Sequence, residues 1–141
     1  MNESTAVRAE VGVEIPAVVR PNQGMHHWNR YAAVNDEFIG IHMIDDDGVA
    51  AGYPSAFAMG NMSTSYLHIM LRNWIGESGR IVSLSMQFRA PVLKGYTVSA
   101  RGVITGVRVE GNERFVDLDV WTENTEGLKI APGSATVAIP A

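Results

Sequence analysis

Two carboxylates and an imidazole lie within one short stretch of the chain. Asp36 and Glu37 precede His42 by six and five positions, with apolar residues between them. A carboxylate and a histidine that hold one water molecule can take a proton from it and deliver a proton to a reacting carbon. No other stretch of the sequence brings acids and a histidine together among apolar residues, so this stretch is the first candidate for a functional site.

The composition predicts a globular protein and argues against nucleic-acid binding. The chain has 141 residues, of which 46% are hydrophobic and 18% charged, which is enough to bury a core within one domain. Its formal net charge is −4 and its 11 basic residues are scattered, whereas a nucleic-acid surface needs clustered Lys and Arg. A small anionic ligand remains compatible with this charge, because it needs only a local basic rim.

The sequence indicates neither a membrane partner nor a secretion signal. No stretch reaches the ~18 apolar residues expected of a membrane span, and residues 1–10 lack the apolar core of a signal peptide. We therefore expect a cytoplasmic protein, with a loose N-terminus over residues 1–10 and a single domain over residues 11–141.

Cysteine and metal chemistry find little support in the sequence. The chain contains no Cys, which excludes thiolate nucleophiles and disulfides. His26 and His27 are adjacent, but no His-x-x-x-His pattern accompanies them, so we predict neither a metal nor a cofactor.

Helices are predicted on both sides of the candidate site. Over residues 25–34 the apolar positions recur every three or four residues, and this helix leads directly into the stretch that contains His42. The run of Asp residues at 45–47 predicts a cap that begins a brief helical turn over 48–51. A long helix is predicted over residues 60–74, apolar on most sides and ended by glycine.

The second half of the chain alternates between apolar and polar residues, which predicts strands. They are expected over residues 82–88, 96–109, 116–123 and 134–139. In the first of them, the residues predicted to face the core are Val82, Leu84, Met86 and Phe88. One long helix followed by antiparallel strands predicts an α+β fold, in which a curved antiparallel sheet wraps around that helix.

Three segments, spread over most of the chain, carry a resemblance to a known family. Residues 30–45 are similar to the signature Tyr-Ala-x-x-Ser-Gly-Asp-x-Asn-Pro-Ile-His-x-Asp, and residues 88–98 to Phe-x-x-Pro-Val-x-x-Gly-x-Thr-Leu. Residues 51–60 are similar to the turn that precedes the central helix of the same family. The chain thus resembles the MaoC-like family of (R)-specific enoyl-CoA hydratases and acyl dehydratases, which have the hot-dog fold.

The signature is altered at several positions of this chain. Five positions before His42, where the signature has Asp, the residue is Glu37, and Asp36 lies one position earlier. Ile39 and Gly40 stand where the signature often has Asn and Pro. Because a catalytic group is sensitive to small misplacements, both carboxylates stay candidates. In addition, Met59 replaces a His that often precedes the glycine of the central helix.

The resemblance implies a lyase that adds or removes water across the 2,3 bond of an acyl thioester carried by CoA or by a carrier protein. It implies that Glu37 and His42 position the water and move protons. It also implies that the backbone N–H of Gly60, at the start of the central helix, binds the thioester oxygen. An open sheet edge implies a homodimer or a heteromer with another hot-dog chain.

Two alternatives stay open at this point. The altered signature also fits a non-catalytic or half-site subunit of a heteromeric hydratase. A hot-dog thioesterase ranks lower, because many such enzymes carry a catalytic carboxylate on the central helix and residues 60–74 contain no Asp or Glu. Arg89 and Lys94 are candidates to meet CoA phosphates, although solvated surface charges explain them equally well.

Overall fold

A computed structural model describes residues 8–141 as one sheet of five strands with its helices. The predicted loose N-terminus lies mostly outside these residues, since residues 1–7 are not described. The elements, in chain order, are β1 (Val18–Arg20), α1 (Met25–Asn35), a 3-10 turn (Gly40–His42), α2 (Asp45–Ala50), α3 (Gly60–Ile75), β2 (Arg80–Met86), β3 (Val98–Glu110), β4 (Glu113–Glu123) and β5 (Lys129–Pro140).

The strands are ordered β1-β3-β4-β5-β2, and every neighbouring pair is antiparallel. β3 and β4 form a hairpin with a tight turn at Gly111, whose φ of 62° suits a glycine. Along β4, Val116, Leu118 and Val120 are buried while Asp119 is exposed. This alternation gives the sheet one apolar face, which packs on the helix.

Helix α3 lies against that apolar face and contacts all five strands. Its buried residues occupy several sides of the helix and include Met62, Leu67, Met70 and Leu71. Each fully buried side chain of this size contributes roughly 1.5–3 kcal/mol of transfer free energy. The predicted α+β fold, a curved antiparallel sheet around one central helix, is confirmed.

The alternation predicted for residues 82–88 is wrong at both ends. A β-bulge between Ile81 and Ser83 places an extra residue in β2, and such an insertion changes which side chains face the core. Ile81 therefore packs against the core, whereas Val82 is 45% exposed. The strand ends at Met86, and Phe88 lies beyond it.

The run of Asp residues does not cap a helix as predicted. Helix α2 already begins at Asp45, and its N-cap residue is Ile44, which makes no side-chain hydrogen bond to the helix. The three carboxylates instead occupy the first turn, where negative charge is favoured by the helix dipole. Strand β1 was not predicted, because three residues are too few to show a period.

Residues 8–141 contain neither a membrane-spanning helix nor a cluster of metal ligands. None of the helices in this range combines the length and the apolar character needed to cross a membrane. The same residues hold no group of three or more His, Asp or Glu side chains that could bind a metal ion.

Candidate active site

His42 ends the 3-10 turn and is buried, with 7% of its surface exposed. Its Nδ1 lies 2.8 Å from the carbonyl oxygen of Phe57. Because a carbonyl oxygen only accepts, Nδ1 carries a hydrogen and donates it, which leaves Nε2 of the neutral ring without one. Within residues 8–141, Nε2 makes no hydrogen bond of its own. It is available as a base toward a water molecule.

Contacts between two short segments hold the His42 ring in place. The backbone N–H of Phe57 donates to the carbonyl oxygen of Ile41 at 3.2 Å. The rings of His42 and Phe57 meet edge to face, with centroids 5.1 Å apart and an interplanar angle of 85°. The Phe57 ring in turn packs on Tyr53, at a centroid distance of 4.4 Å. His42 is thus positioned by one residue, Phe57, through both its backbone and its ring.

Asp45 connects the segment that contains Phe57 to α2 and to Lys94. Its Oδ1 accepts the backbone N–H of Ala56 at 3.1 Å and lies 2.5 Å from Nζ of Lys94. The Lys94 hydrogen bond, followed by the Ala56 N–H, lowers the pKa of the Asp45 carboxyl below its ordinary value. Lys94 is therefore paired within the chain.

Gly48 allows α2 to pack closely against the same segment. The residue is buried, and a Cβ added to it would collide with the backbone carbonyl of Ser55. Glycine is the only residue that permits this approach of backbone to backbone. The position of the segment that contains Phe57 thus depends on glycine at position 48 and on the Asp45 carboxylate.

A cavity of about 280 Å³ lies at the start of α3. Gly60, the first residue of α3, lines it together with Phe57, Phe88 and Arg89. The N–H of Gly60 donates to no acceptor within residues 8–141. An unpaired N–H at a helix N-terminus suits an oxygen that develops negative charge.

The ring of Phe88 lies directly against Gly60. A Cβ at position 60 would come within 3.2 Å of three carbons of that ring, which is closer than a comfortable contact. The absence of a side chain at Gly60 thus accommodates the ring. Phe88 itself is 55% exposed, because it lies past the end of β2.

Ser63 lines the cavity one helical turn after Gly60, and sequence reasoning missed it. It is buried, and its Oγ accepts a hydrogen bond from Oγ1 of Thr122 at 3.2 Å. The hydroxyl hydrogen of Ser63 is therefore still available to donate. The signal was present in the sequence, since positions three apart on a helix share a face.

The two candidate carboxylates lie at the end of α1 and directly after it. Asp36 ends α1 in a left-handed conformation, with φ at 53°, and its side chain is exposed. Glu37 is half-buried and its N–H donates to the carbonyl oxygen of Ala32 at 3.0 Å. Within residues 8–141, neither carboxylate hydrogen-bonds to His42, and neither lines the cavity. His42 is linked to the cavity through Phe57, which contacts both.

Comparisons with known proteins identify the class of fold and then the family. No protein-family model matches the chain. The (R)-hydratase of A. caviae is 20% identical, covers 93% of this chain and 97% of its own, and superposes with a TM-score of 0.81. The ChsH1-ChsH2 complex from Mycobacterium tuberculosis is also 20% identical, covering 94% of this chain and 99% of its own, with a TM-score of 0.80. These likenesses show that the fold is the hot-dog fold.

A relative of higher identity defines the family. An (R)-specific enoyl-CoA hydratase from Rhodospirillum rubrum is 31% identical over 101 residues, which cover 71% of this chain and 68% of that protein. The chain belongs to the MaoC-like (R)-specific enoyl-CoA hydratase family, as the sequence predicts.

Proposed function

We propose that the protein adds water to the 2,3 double bond of a 2-enoyl thioester, or removes it from the 3-hydroxyacyl product. The observation that carries this proposal is the environment of His42. The ring is buried, one nitrogen is fixed by the Phe57 carbonyl at 2.8 Å, and the other is left as a base. Phe57 also lines the cavity that begins at Gly60. A water-activating group and a site for an oxyanion are thus linked through one residue.

In the proposed reaction, the water is held by Nε2 of His42 and by a carboxylate, with Glu37 as first candidate and Asp36 as second. One O–H bond of the water breaks as its proton passes to this pair, the water oxygen bonds to C3, and the two electrons of the double bond move toward the thioester. The negative charge that develops on the thioester oxygen is stabilised by the N–H of Gly60. The same pair then gives a proton to C2, where the enolate electrons form the new C–H bond and the thioester carbonyl is restored; dehydration follows these steps in reverse.

The substrate is proposed to be an acyl group carried by CoA or by a carrier protein, and the protein to act in lipid metabolism in the cytoplasm. The relative from Rhodospirillum rubrum is named for an enoyl-CoA substrate, which supports the CoA form. Arg89 lines the cavity and is the candidate for a phosphate contact. Lys94 is less suited to that role, because it is paired with Asp45.

We also propose that the chain assembles at least as a dimer, through the outer edge of β2. Within the described sheet, β2 pairs with β5 on one side only. An unpaired edge of a strand invites pairing with another chain. Light scattering at micromolar concentration should report a dimer or larger, and a monomer would contradict this part of the proposal.

A second candidate function, a half-site subunit of a heteromeric hydratase, is favoured by one observation. Neither Asp36 nor Glu37 hydrogen-bonds to His42 within residues 8–141. Two solved structures with this fold, the ChsH1-ChsH2 and HadBC complexes, are each named for more than one protein. Activity that appears only after a second hot-dog chain is added would support this alternative, and full activity of the purified chain alone would exclude it.

A thioesterase is the least supported of the three functions. Helix α3 carries no Asp or Glu along Gly60–Ile75, so it lacks the carboxylate that many hot-dog thioesterases use. Release of free CoA from a saturated acyl-CoA, at a rate above the uncatalysed one, would revive this function.

The proposed reaction is tested with purified protein and 2-enoyl-CoA substrates of increasing length, including bulky ring-bearing ones. We expect hydration, and we expect His42→Ala to reduce kcat by roughly 10²–10⁴, the range for a general acid–base group. His68→Ala is the matched control, since His68 is an exposed histidine on α3, and it should leave kcat unchanged. Circular dichroism checks that both variants are folded. Full activity of His42→Ala would overturn the proposal.

A further inference from the structure

A second cavity, of about 410 Å³, is separate from the one beside Phe57. It lies between β1, α1 and α3, and it shares no lining residue with the first cavity. Its lining residues include Arg20 of β1, His27 and Arg30 of α1, and Met62 and Tyr66 of α3. Its volume is within the range of roughly 300–1,000 Å³ that small-molecule sites occupy.

The described residues that line this cavity include two arginines and no Asp or Glu. Within residues 8–141, neither Arg20 nor Arg30 takes part in an ion pair. The pKa of His27 is lowered, first by burial and then by His26, Arg30 and Arg20, with no carboxylate among the causes. The local charge at the rim is therefore positive, although the whole chain has a net charge of −4.

The floor of the cavity is apolar. Met62 is 5% exposed and Tyr66 is 9% exposed, and the guanidinium of Arg20 lies 5.8 Å from the centre of the Tyr66 ring. The Tyr66 hydroxyl is not free, because it donates to Oε1 of Gln23 at 3.2 Å. An apolar ligand body can thus cover the floor without displacing a hydrogen bond.

Two buried polar atoms at or next to the cavity have no hydrogen-bond partner within residues 8–141. Nδ1 of His27, which is a lining residue, is one of them. Nε2 of Gln23 is also buried and unpaired, in a side chain that is only 2% exposed and that is bonded to Tyr66. Unpaired buried groups are costly, so a polar ligand that reached them would be favoured.

We propose that this second cavity binds a carboxylate carried on an apolar body, with Arg20 and Arg30 meeting the carboxylate and Met62 and Tyr66 meeting the body. The guanidinium group matches a carboxylate in geometry and charge. Such a site lies outside the proposed hydration reaction, needs no thioester, and can be occupied while the first cavity turns over substrate.

The test measures binding of decanoate to the full chain by calorimetry, with decanol and acetate as matched probes. Decanoate should bind more tightly than either, because decanol lacks the charge and acetate lacks the apolar body. Arg20→Gln and Arg30→Gln should each weaken decanoate binding about tenfold, the size of one lost charge-assisted contact. Arg114→Gln is the control, because Arg114 lies on β4 and lines neither cavity; it should bind decanoate as the unchanged chain does.

A second readout locates the ligand. The ring signals of His27, followed by NMR against pH, should titrate at higher pH when decanoate is bound and should stay unchanged with decanol. The two Arg variants should retain their hydration activity. The proposal is overturned if decanol binds as tightly as decanoate, if the Arg variants bind decanoate unchanged, or if decanoate competes with the thioester substrate and leaves His27 unaffected.

Discussion

The framework of the molecule and the segment that carries the candidate site are stabilised in different ways. The framework, which is α3 with strands β2 to β5, shares its stability among many buried apolar side chains. The site segment, residues 36–59, depends on a few directed contacts: His42 with Phe57, Asp45 with Ala56, and Gly48 against Ser55. A change in the framework should therefore cost stability, whereas a change in the site segment should displace or remove one functional group. Four experiments test this difference, from the largest expected effect to the smallest.

The largest effect on stability is expected when a buried side chain of the framework is shortened. Leu118 on β4 is 1% exposed, so Leu118→Ala should lower the free energy of unfolding by about 2–5 kcal/mol. The kcat of the folded variant should be unchanged. Urea denaturation measures the first quantity and the hydration assay the second. Val109→Ala, at a position 63% exposed on β3, is the control and should change stability by less than about 0.5 kcal/mol. A loss of kcat in Leu118→Ala at full folding would break the comparison.

The next effect distinguishes the two carboxylates of the site segment. Glu37→Gln should lower kcat about 100-fold, because in the proposed reaction Glu37 helps to activate the water, and it should change stability little. Asp36→Asn should be nearly silent, because Asn tolerates the left-handed conformation at φ 53°. The same hydration assay measures both. If Asp36→Asn loses activity and Glu37→Gln does not, Asp36 is the carboxylate that activates the water. Full activity in both variants would show that the mechanism uses neither carboxylate.

A smaller effect on stability is expected when a side chain is added at Gly48, where α2 packs against the backbone of Ser55. Helix propensity alone predicts that Gly48→Ala stabilises α2 by about 1 kcal/mol. The added Cβ meets the backbone of Ser55, so we expect a net loss of about 1–3 kcal/mol instead, together with reduced kcat as Phe57 moves. Thermal unfolding measures the change. Val49→Ala, at an exposed position of α2, is the control; a more stable Gly48→Ala variant would contradict the packing described here.

The smallest effect should depend on pH. The pKa of Asp45 is lowered in the folded protein by Lys94 and by the N–H of Ala56, so ionised Asp45 stabilises the fold above the ordinary Asp pKa of about 3.9. This contribution is lost as the pH falls through the lowered value. The melting temperature of Asp45→Asn should therefore lie slightly below that of the unchanged chain at neutral pH, and the difference should vanish in acid. It should also shrink in high salt.

Asp46→Asn is the control for that experiment, because Asp46 is an exposed neighbour in the same helical turn. A difference between Asp45→Asn and the unchanged chain that persists in acid would show that the Asp45 carboxylate acts through something other than its charge.

The same contrast explains which parts of the structure could be predicted from the sequence. The periods of α3 and of β4 were readable because repeated burial imposes them on many residues at once. The inward direction of Val82 was predicted wrongly, since one bulged residue leaves no mark in an alternating pattern. Strand β1 was missed because its three residues are defined by pairing with β3, a partner distant in sequence.

The candidate site was predictable only in part. His42 was identified from the residues around it and Gly60 from the resemblance, and Phe57 contacts His42 and lines the cavity with Gly60. No periodic pattern could have revealed that the Phe57 carbonyl fixes the tautomer of His42, because that contact spans 15 positions of irregular chain. The roles of Glu37, His42 and Gly60 stay predictions until the variants are measured.

The two edges of the sheet differ in length, and this limits how far an assembly can grow. One edge is β2, with seven residues, and the other is β1, with three. A contact that uses the same long edge on both partners is related by a two-fold axis and is complete with two chains. On the opposite edge, backbone hydrogen bonds between residues 12–15 and β3 cover β3 as far as Ile104. Assembly through β2, as proposed, would therefore stop at two chains and leave the β1 side of the sheet outside the contact.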